Sequence, residues 1–172
     1  LEDKMELLYY PDEFLTKKLE DFNFEKPQVN IEEAKKEMLD IMFAQDGVGL
    51  SASQVGINAQ MFVMGSKHFP DKATIFINPK VVQASEETVL DVEGCLSFPG
   101  IFVQLHRPKW IIAEFMNEKG EKQTGRIEGY DARCYLHELD HLLGITYKDR
   151  ASKLKWDMAT KRAKKKGYKV YA

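Results

Sequence analysis

His137, Glu138, Leu139, Asp140 and His141 form an HExxH pattern inside a segment with its own helical spacing, and nothing else in the chain limits its possible folds as strongly. Positions i and i+4 of a helix lie about 40° apart around the axis, so both imidazoles leave one face and can meet on one ion. Glu138 stands beside them, able to take a proton from a water that such an ion would acidify from a pKa of about 16 toward 7. Two histidines on a helix can also be unrelated to any metal, but half of the chain's four histidines fall in this one pattern. A chain that uses the pattern must bring a third ligand to the helix from elsewhere and leave the site open on one side.

Two familiar sources of that ligand fail. A glutamate some 20 residues downstream is ruled out because no Glu follows Glu138, and the extended HExxHxxGxxH form would need His where Tyr147 stands, although Gly144 fits. Cys134 shares the helical face of the histidines, but its Cα would lie about 10 Å along the axis from that of His141, too far for one tetrahedral site. It reads as a small buried hydrophobe. Cys95 remains, in Glu93-Gly94-Cys95-Leu96-Ser97-Phe98-Pro99-Gly100, where Gly94 and Gly100 suit a bend that delivers a thiolate to a cleft. On these residues alone, a buried structural cysteine is an equally good reading of Cys95.

The surrounding chain excludes several classes. A length of 172 residues suits a single domain with its own core, and 44% apolar with 30% charged residues is ordinary for a globular protein without a membrane span. LEDKMELLYY has neither the features of a secretory signal nor those of a transit peptide, so the expected compartment is the cytoplasm. Leu1 to Lys4 read either as an added remnant before a natural start at Met5 or as the trimmed end of a longer precursor. Two cysteines do not make a disulfide framework. Residues 150–172 carry nine Lys or Arg against one Asp, about +8 on a body of about −10. That end, 152–172, reads as a basic helix and tail that is either a solvated face or a contact for a ribosome or nucleic acid.

Periodicity supplies the elements. Asn30 followed by Glu33 resembles a capping box, and Ile31, Ala34, Met38, Ile41 and Met42 predict a helix ending near Gln45. The glycines and small residues of Asp46 to Gly56 predict a backbone that something else approaches closely. Strands are expected near Met61 to Met64, Thr74 to Ile77, Thr88 to Val92 and Ile101 to Leu105. A hairpin over Trp110 to Met116 and Lys122 to Ile127 turns at Asn117 to Gly120. A turn and short helix are expected around Tyr10, Pro11 and Asp12, a helix from Asp131 to Leu143 stopped by Gly144, and a last helix from Ser152 to near Gly167. Helix, then strands, then helices favours an α+β domain with antiparallel or mixed sheets around the HExxH helix.

GVGLSASQVG, EGCLSFPG and HELDH occur in the order and rough spacing of peptide deformylases, and YPDEFL, INP at Ile77 to Pro79 and GYDAR before the metal helix extend the resemblance to about Arg150. Ser51 departs from it, since the family usually carries Ala there; altered hydrogen bonding without loss of activity is expected. The resemblance implies hydrolysis of the N-formyl group from the N-terminal methionine of new polypeptides, with release of formate by metal-activated water. It implies Cys95, His137 and His141 as ligands of one divalent metal, iron(II) in the cell with zinc or nickel possible in purified protein, and Glu138 as general base and acid.

It further implies the Gln54 side-chain amide and the Leu96 backbone N–H as oxyanion donors, and Val48, Gly49 and Gly94 along an extended peptide whose methionine enters an apolar pocket. Arg107, Glu93 and Asp140 would orient the ligands. A monomer is expected. Two rival functions are an HExxH metallopeptidase that cuts internal peptide bonds, and a binding module that docks through its basic C-terminus.

Overall fold

The computed structural model describes residues 4–171; residues 1–3, most of the segment whose origin the sequence leaves open, lie outside the described residues. After a turn in which Asp12 N–H donates to the Tyr9 carbonyl, the chain forms a 3-10 turn at Glu13–Thr16. It then enters helix α1, Ile31–Ala44, where the side chain of Asn30 accepts from the Glu33 N–H and buries Ala34, Met38 and Met42 on one stripe.

Strands β1 (Gly49–Ser51), β2 (Met61–Met64), β3 (Thr74–Ala84), β6 (Trp110–Met116) and β7 (Lys122–Glu128) make one five-stranded sheet in that order. A second sheet is the hairpin of β4 (Thr88–Cys95) and β5 (Phe98–Pro108). Every pairing between named strands is antiparallel among the described residues. Asn117 to Gly120 closes the β6–β7 hairpin, with Gly120 N–H donating to the Asn117 carbonyl.

Helix α2, Gly129–Leu142, lies between the two sheets. One face sends the buried ring of Tyr135 edge-on to Phe62 and Phe76 of the large sheet. Its other face meets the hairpin through Arg133, which donates to the carbonyls of Val89 and Leu105. Gly144 ends this run in the left-handed region at φ +79°, where a Cβ would fall 2.6 Å from the Thr16 carbonyl oxygen, so glycine alone fits the stop. The short helix α3 (Tyr147–Arg150) and the last helix α4 (Lys153–Lys165, capped by Ser152) follow.

The basic end is not a loose tail. Helix α4 buries Trp156, Ala159 and Ala163 against Phe98, Ile101, Val103 and Leu105 of β5, a second core that holds the hairpin from outside. None of the described helices is long and apolar enough to cross a membrane.

Candidate metal centre

The two histidines of α2 stand one turn apart with ring centroids 5.0 Å from each other. Cys95 ends β4, and the two-residue turn Leu96–Ser97 leads into β5, with Cys95 paired to Phe98. The bend expected beside Cys95 therefore falls at Leu96–Ser97, while Gly94 lies within β4 at a break in register between Glu93 and Cys95.

That turn brings Cys95 Sγ to 3.4 Å from His141 Nε2, and one ligand atom from each of Cys95, His137 and His141 lies within 4.8 Å of the others. Bonds of 2.0 to 2.3 Å at tetrahedral angles set sulfur and nitrogen ligands about 3.5 Å apart, the spacing Cys95 and His141 already have, and the third side chain is near enough to join the same ion by a small side-chain movement. Cys134 is not part of the group. Its thiol donates to the Val48 carbonyl at 3.8 Å, and burial pushes its pKa well up, which keeps it protonated.

The ligands are held by buried charge. Glu93 Oε1 meets His137 Nδ1 at 2.8 Å, which leaves Nε2 to face the cleft. The same carboxylate accepts two bonds from Arg107, at 2.8 and 3.0 Å, and one from Arg133 at 2.8 Å. Burial alone would raise the Glu93 pKa, but His137 and Arg107 more than offset it, and the carboxyl falls to about 2.

Arg107 Nη1 also donates to Asp140 at 2.7 Å, and Arg150 holds the far side of Asp140 at 2.9 Å. The expected trio of Arg107, Glu93 and Asp140 is thus one connected network. Arg133 and Arg150 belong to it as well and went unread in the sequence. Arg133 stands one turn before His137 on the same face, a position where a charge needs a buried partner. His141 is held well below the ordinary imidazole range by burial and by neighbouring His137, which favours the neutral form a ligand needs.

A cleft of about 600 Å³ opens over this group, lined among others by Val48, Gly49, Gln54, Gly94, Leu96 and Glu138. The metal, catalytic and peptide-binding residues inferred from the sequence all line it except His141, which is fully buried beside Cys95, while Arg107 and Asp140 lie outside its lining. Glu138 is 4% exposed, its Oε1 has no hydrogen-bond partner among the described residues, and burial pushes its pKa up to about 7 against the pull of His137. A carboxyl so placed can both accept and return a proton near neutrality. Gln54 Nε2 approaches Cys95 Sγ at 3.5 Å, which sets its amide at the edge of the same space.

An HExxH helix joined by a cysteine from a separate hairpin, with an unpaired carboxyl beside the histidines, is the arrangement of a metallohydrolase that activates water. The sequence model of the polypeptide deformylase family matches residues 4–157. The peptide deformylase of Wolbachia pipientis from Culex pipiens is 37% identical, over 94% of this chain and 95% of that protein. That of Thermotoga neapolitana is 42% identical, over 80% and 84%. Among solved structures, the peptide deformylase from Synechococcus elongatus in complex with actinonin superposes with a TM-score of 0.86 at 31% identity, covering 99% of this chain and 92% of that one. The Thermotoga maritima enzyme gives 0.80 at 36% identity, over 88% and 99%.

This chain belongs to the peptide deformylase family. Its activity is the metal-dependent removal of the N-formyl group from nascent formylmethionyl peptides, and the metallopeptidase reading is not favoured.

Proposed function

We propose that Cys95, His137 and His141 hold the metal, that Glu138 carries the proton, and that Gln54 and Leu96 bind the oxyanion. Glu138 carries the reading furthest: it is the buried carboxyl with an unpartnered oxygen at the cleft, one residue from a ligand and outside the ligand set itself. The ion, when bound, supplies Lewis acidity toward the formyl oxygen and toward water.

Glu138 Oε takes a proton from the attacking water as its oxygen bonds to the formyl carbon, and delivers that proton to the nitrogen as the carbon–nitrogen bond breaks. Formate and a free amine leave. The Gln54 side-chain N–H and the Leu96 backbone N–H donate to the oxygen that becomes negative in between. Val48 and Gly49 on one wall and Gly94 on the other offer backbone to an extended peptide, with the methionine side chain in the cleft between them.

A thiolate with two imidazoles suits iron(II) and zinc alike; iron(II) is the proposed ion in the cell, with zinc or nickel replacing it after exposure to oxygen. The cytoplasm is the proposed compartment and a monomer the proposed state. Helix α4 exposes Lys161 and Lys165 opposite its buried residues and Lys153 and Lys164 on the flank. A ribosome contact through this face would weaken on reversing those charges and on raising salt.

The test is formate release from a formylmethionyl peptide by anaerobically prepared protein, together with analysis of its metal. Stoichiometric iron and turnover abolished by chelation are expected. Turnover that survives complete removal of metal would end the reading.

A further inference from the structure

A single run of hydrogen bonds passes through the buried structure beneath the cleft and reaches the cleft wall at Gln54, with all of its donors facing one way. Ser53 Oγ and Ser51 Oγ lie 2.8 Å apart, and Ser51 Oγ donates to Gln54 Oε1 at 3.1 Å. Gln54 Nε2 donates to Ser97 Oγ at 3.0 Å, and Ser97 Oγ donates to the Leu8 carbonyl at 2.7 Å. The three serines have no exposed surface and Gln54 has 1%.

The direction of the run is forced. The Ser51 backbone N–H also donates to Gln54 Oε1, at 3.0 Å, and an N–H cannot accept, so the amide oxygen must face Ser51 and the amide nitrogen must face Ser97. At the far end the Leu8 carbonyl can only accept. It therefore claims the single proton of Ser97, whose lone pairs are left for Gln54. A carboxamide has two N–H donors. One is committed to Ser97, and the other meets only Cys95 Sγ, at 3.5 Å, on the side of the cleft.

We propose that Ser51 and Ser97 are positioning residues that lock the Gln54 carboxamide with one N–H held toward the place where the substrate oxygen becomes negative. This rests on the role proposed above for Gln54. A donor already aimed before reaction needs no reorientation as charge develops, and aligned hydrogen bonds polarise one another along the run. The Ser51 hydroxyl gives Oε1 a second donor beyond the backbone. Ser97 matters more, because it is the only oxygen partner of the amide nitrogen among the described residues.

Two measurements on zinc-loaded protein test this. In steady-state kinetics, Ser97→Ala is expected to lower kcat about tenfold with KM held within about twofold, part of the hundredfold or more that loss of a whole oxyanion donor costs. Ser51→Ala is expected to lower kcat about threefold, since the backbone donor remains. In a Gln54→Ala background neither serine change should slow the enzyme further.

In nitrogen-15 NMR of the unmutated protein, the Gln54 side-chain N–H pair should exchange with solvent far more slowly than that of exposed Gln123, and Ser97→Ala should abolish the protection. A Gln54 amide that exchanges as fast as Gln123 overturns the proposal without any variant. Full kcat in both serine variants alongside a slow Gln54→Ala rejects the positioning role and leaves the oxyanion role standing. Full kcat in Gln54→Ala rejects the oxyanion role itself.

Discussion

Gly49 faces Glu138 so closely that a Cβ on Gly49 would lie 2.6 Å from Glu138 Oε2 and 2.8 Å from Cys134 Sγ. The glycine is required by this approach, because its backbone φ lies outside the left-handed region. Gly49→Ala should push the Glu138 carboxyl out of line, and a displacement near 1 Å in a reacting group costs about a hundredfold in rate. The expected result is a kcat loss of that order with bound metal unchanged, read by kinetics beside metal analysis. An alanine variant with full turnover would remove Glu138 from its proposed role.

Glu138→Gln keeps the shape of the side chain and removes its ability to take a proton. Loss of a general base lowers rates by about 10² to 10⁴. Because the three converging ligand atoms belong to Cys95, His137 and His141, the metal should stay at one equivalent. Loss of metal in step with activity would instead place Glu138 among the ligands.

The parts of the site that were legible in the sequence are those fixed by local spacing. An i, i+4 pair of histidines on a capped helix specifies its own geometry, and so the HExxH face and the rejection of Cys134 needed no tertiary information. Cys95 was different. Its distance from His141 is set by a two-residue turn and by helix α4 behind it, neither of which spacing reveals, and the residues alone left it open until the resemblance resolved it.

The fold shows the same division. Strand β2 was read to its ends, but β1 was missed because Gly49-Leu50-Ser51 has no strand propensity and is extended only by pairing with β2. Strands β3 and β5 run to 11 residues each, longer than expected, because pairing with β6 for β3 and with β4 across the hairpin for β5 carries them past the centre that marks a strand locally. Arg133, Ser53 and Ser97 went unread for a related reason. Each is an ordinary polar residue whose partner lies far away in the chain or depends on a side-chain direction.

Glu93 stands between two guanidiniums and the Nδ1 of a ligand histidine, all buried. Glu93→Gln leaves Arg107 and Arg133 without that counter-charge, and breaking such a pair from one side costs about 3 to 5 kcal/mol. For a domain of this size that corresponds to a fall in Tm of roughly 10 °C. Metal affinity should fall about 10- to 100-fold as well, because His137 loses the partner that sets its orientation. Calorimetry and a metal titration check the two effects. An unchanged Tm would mean that solvent screens the network.

The proposed ligands come from two elements, His137 and His141 from α2 and Cys95 from the end of β4, which the buried bonds of Glu93, Arg107 and Arg133 already join on the α2 side of the hairpin. An ion bound by all three therefore bridges the helix to the hairpin. A ligand present at about 1,000 times its dissociation constant stabilises the folded state by about 4 kcal/mol. Chelation should accordingly lower Tm by roughly 8 to 16 °C, and restoring one equivalent of metal should recover it. Cys95→Ser should behave like the chelated protein under the same conditions, since a hydroxyl replaces the charged soft ligand. Hydrogen exchange locates the effect. The amides of β4 and the Leu96–Ser97 turn should open faster without metal, while those of β2 and β3, on the far side of α2, should not change. Equal protection of the turn with and without metal would show that Cys95 does not share the ion with the helix.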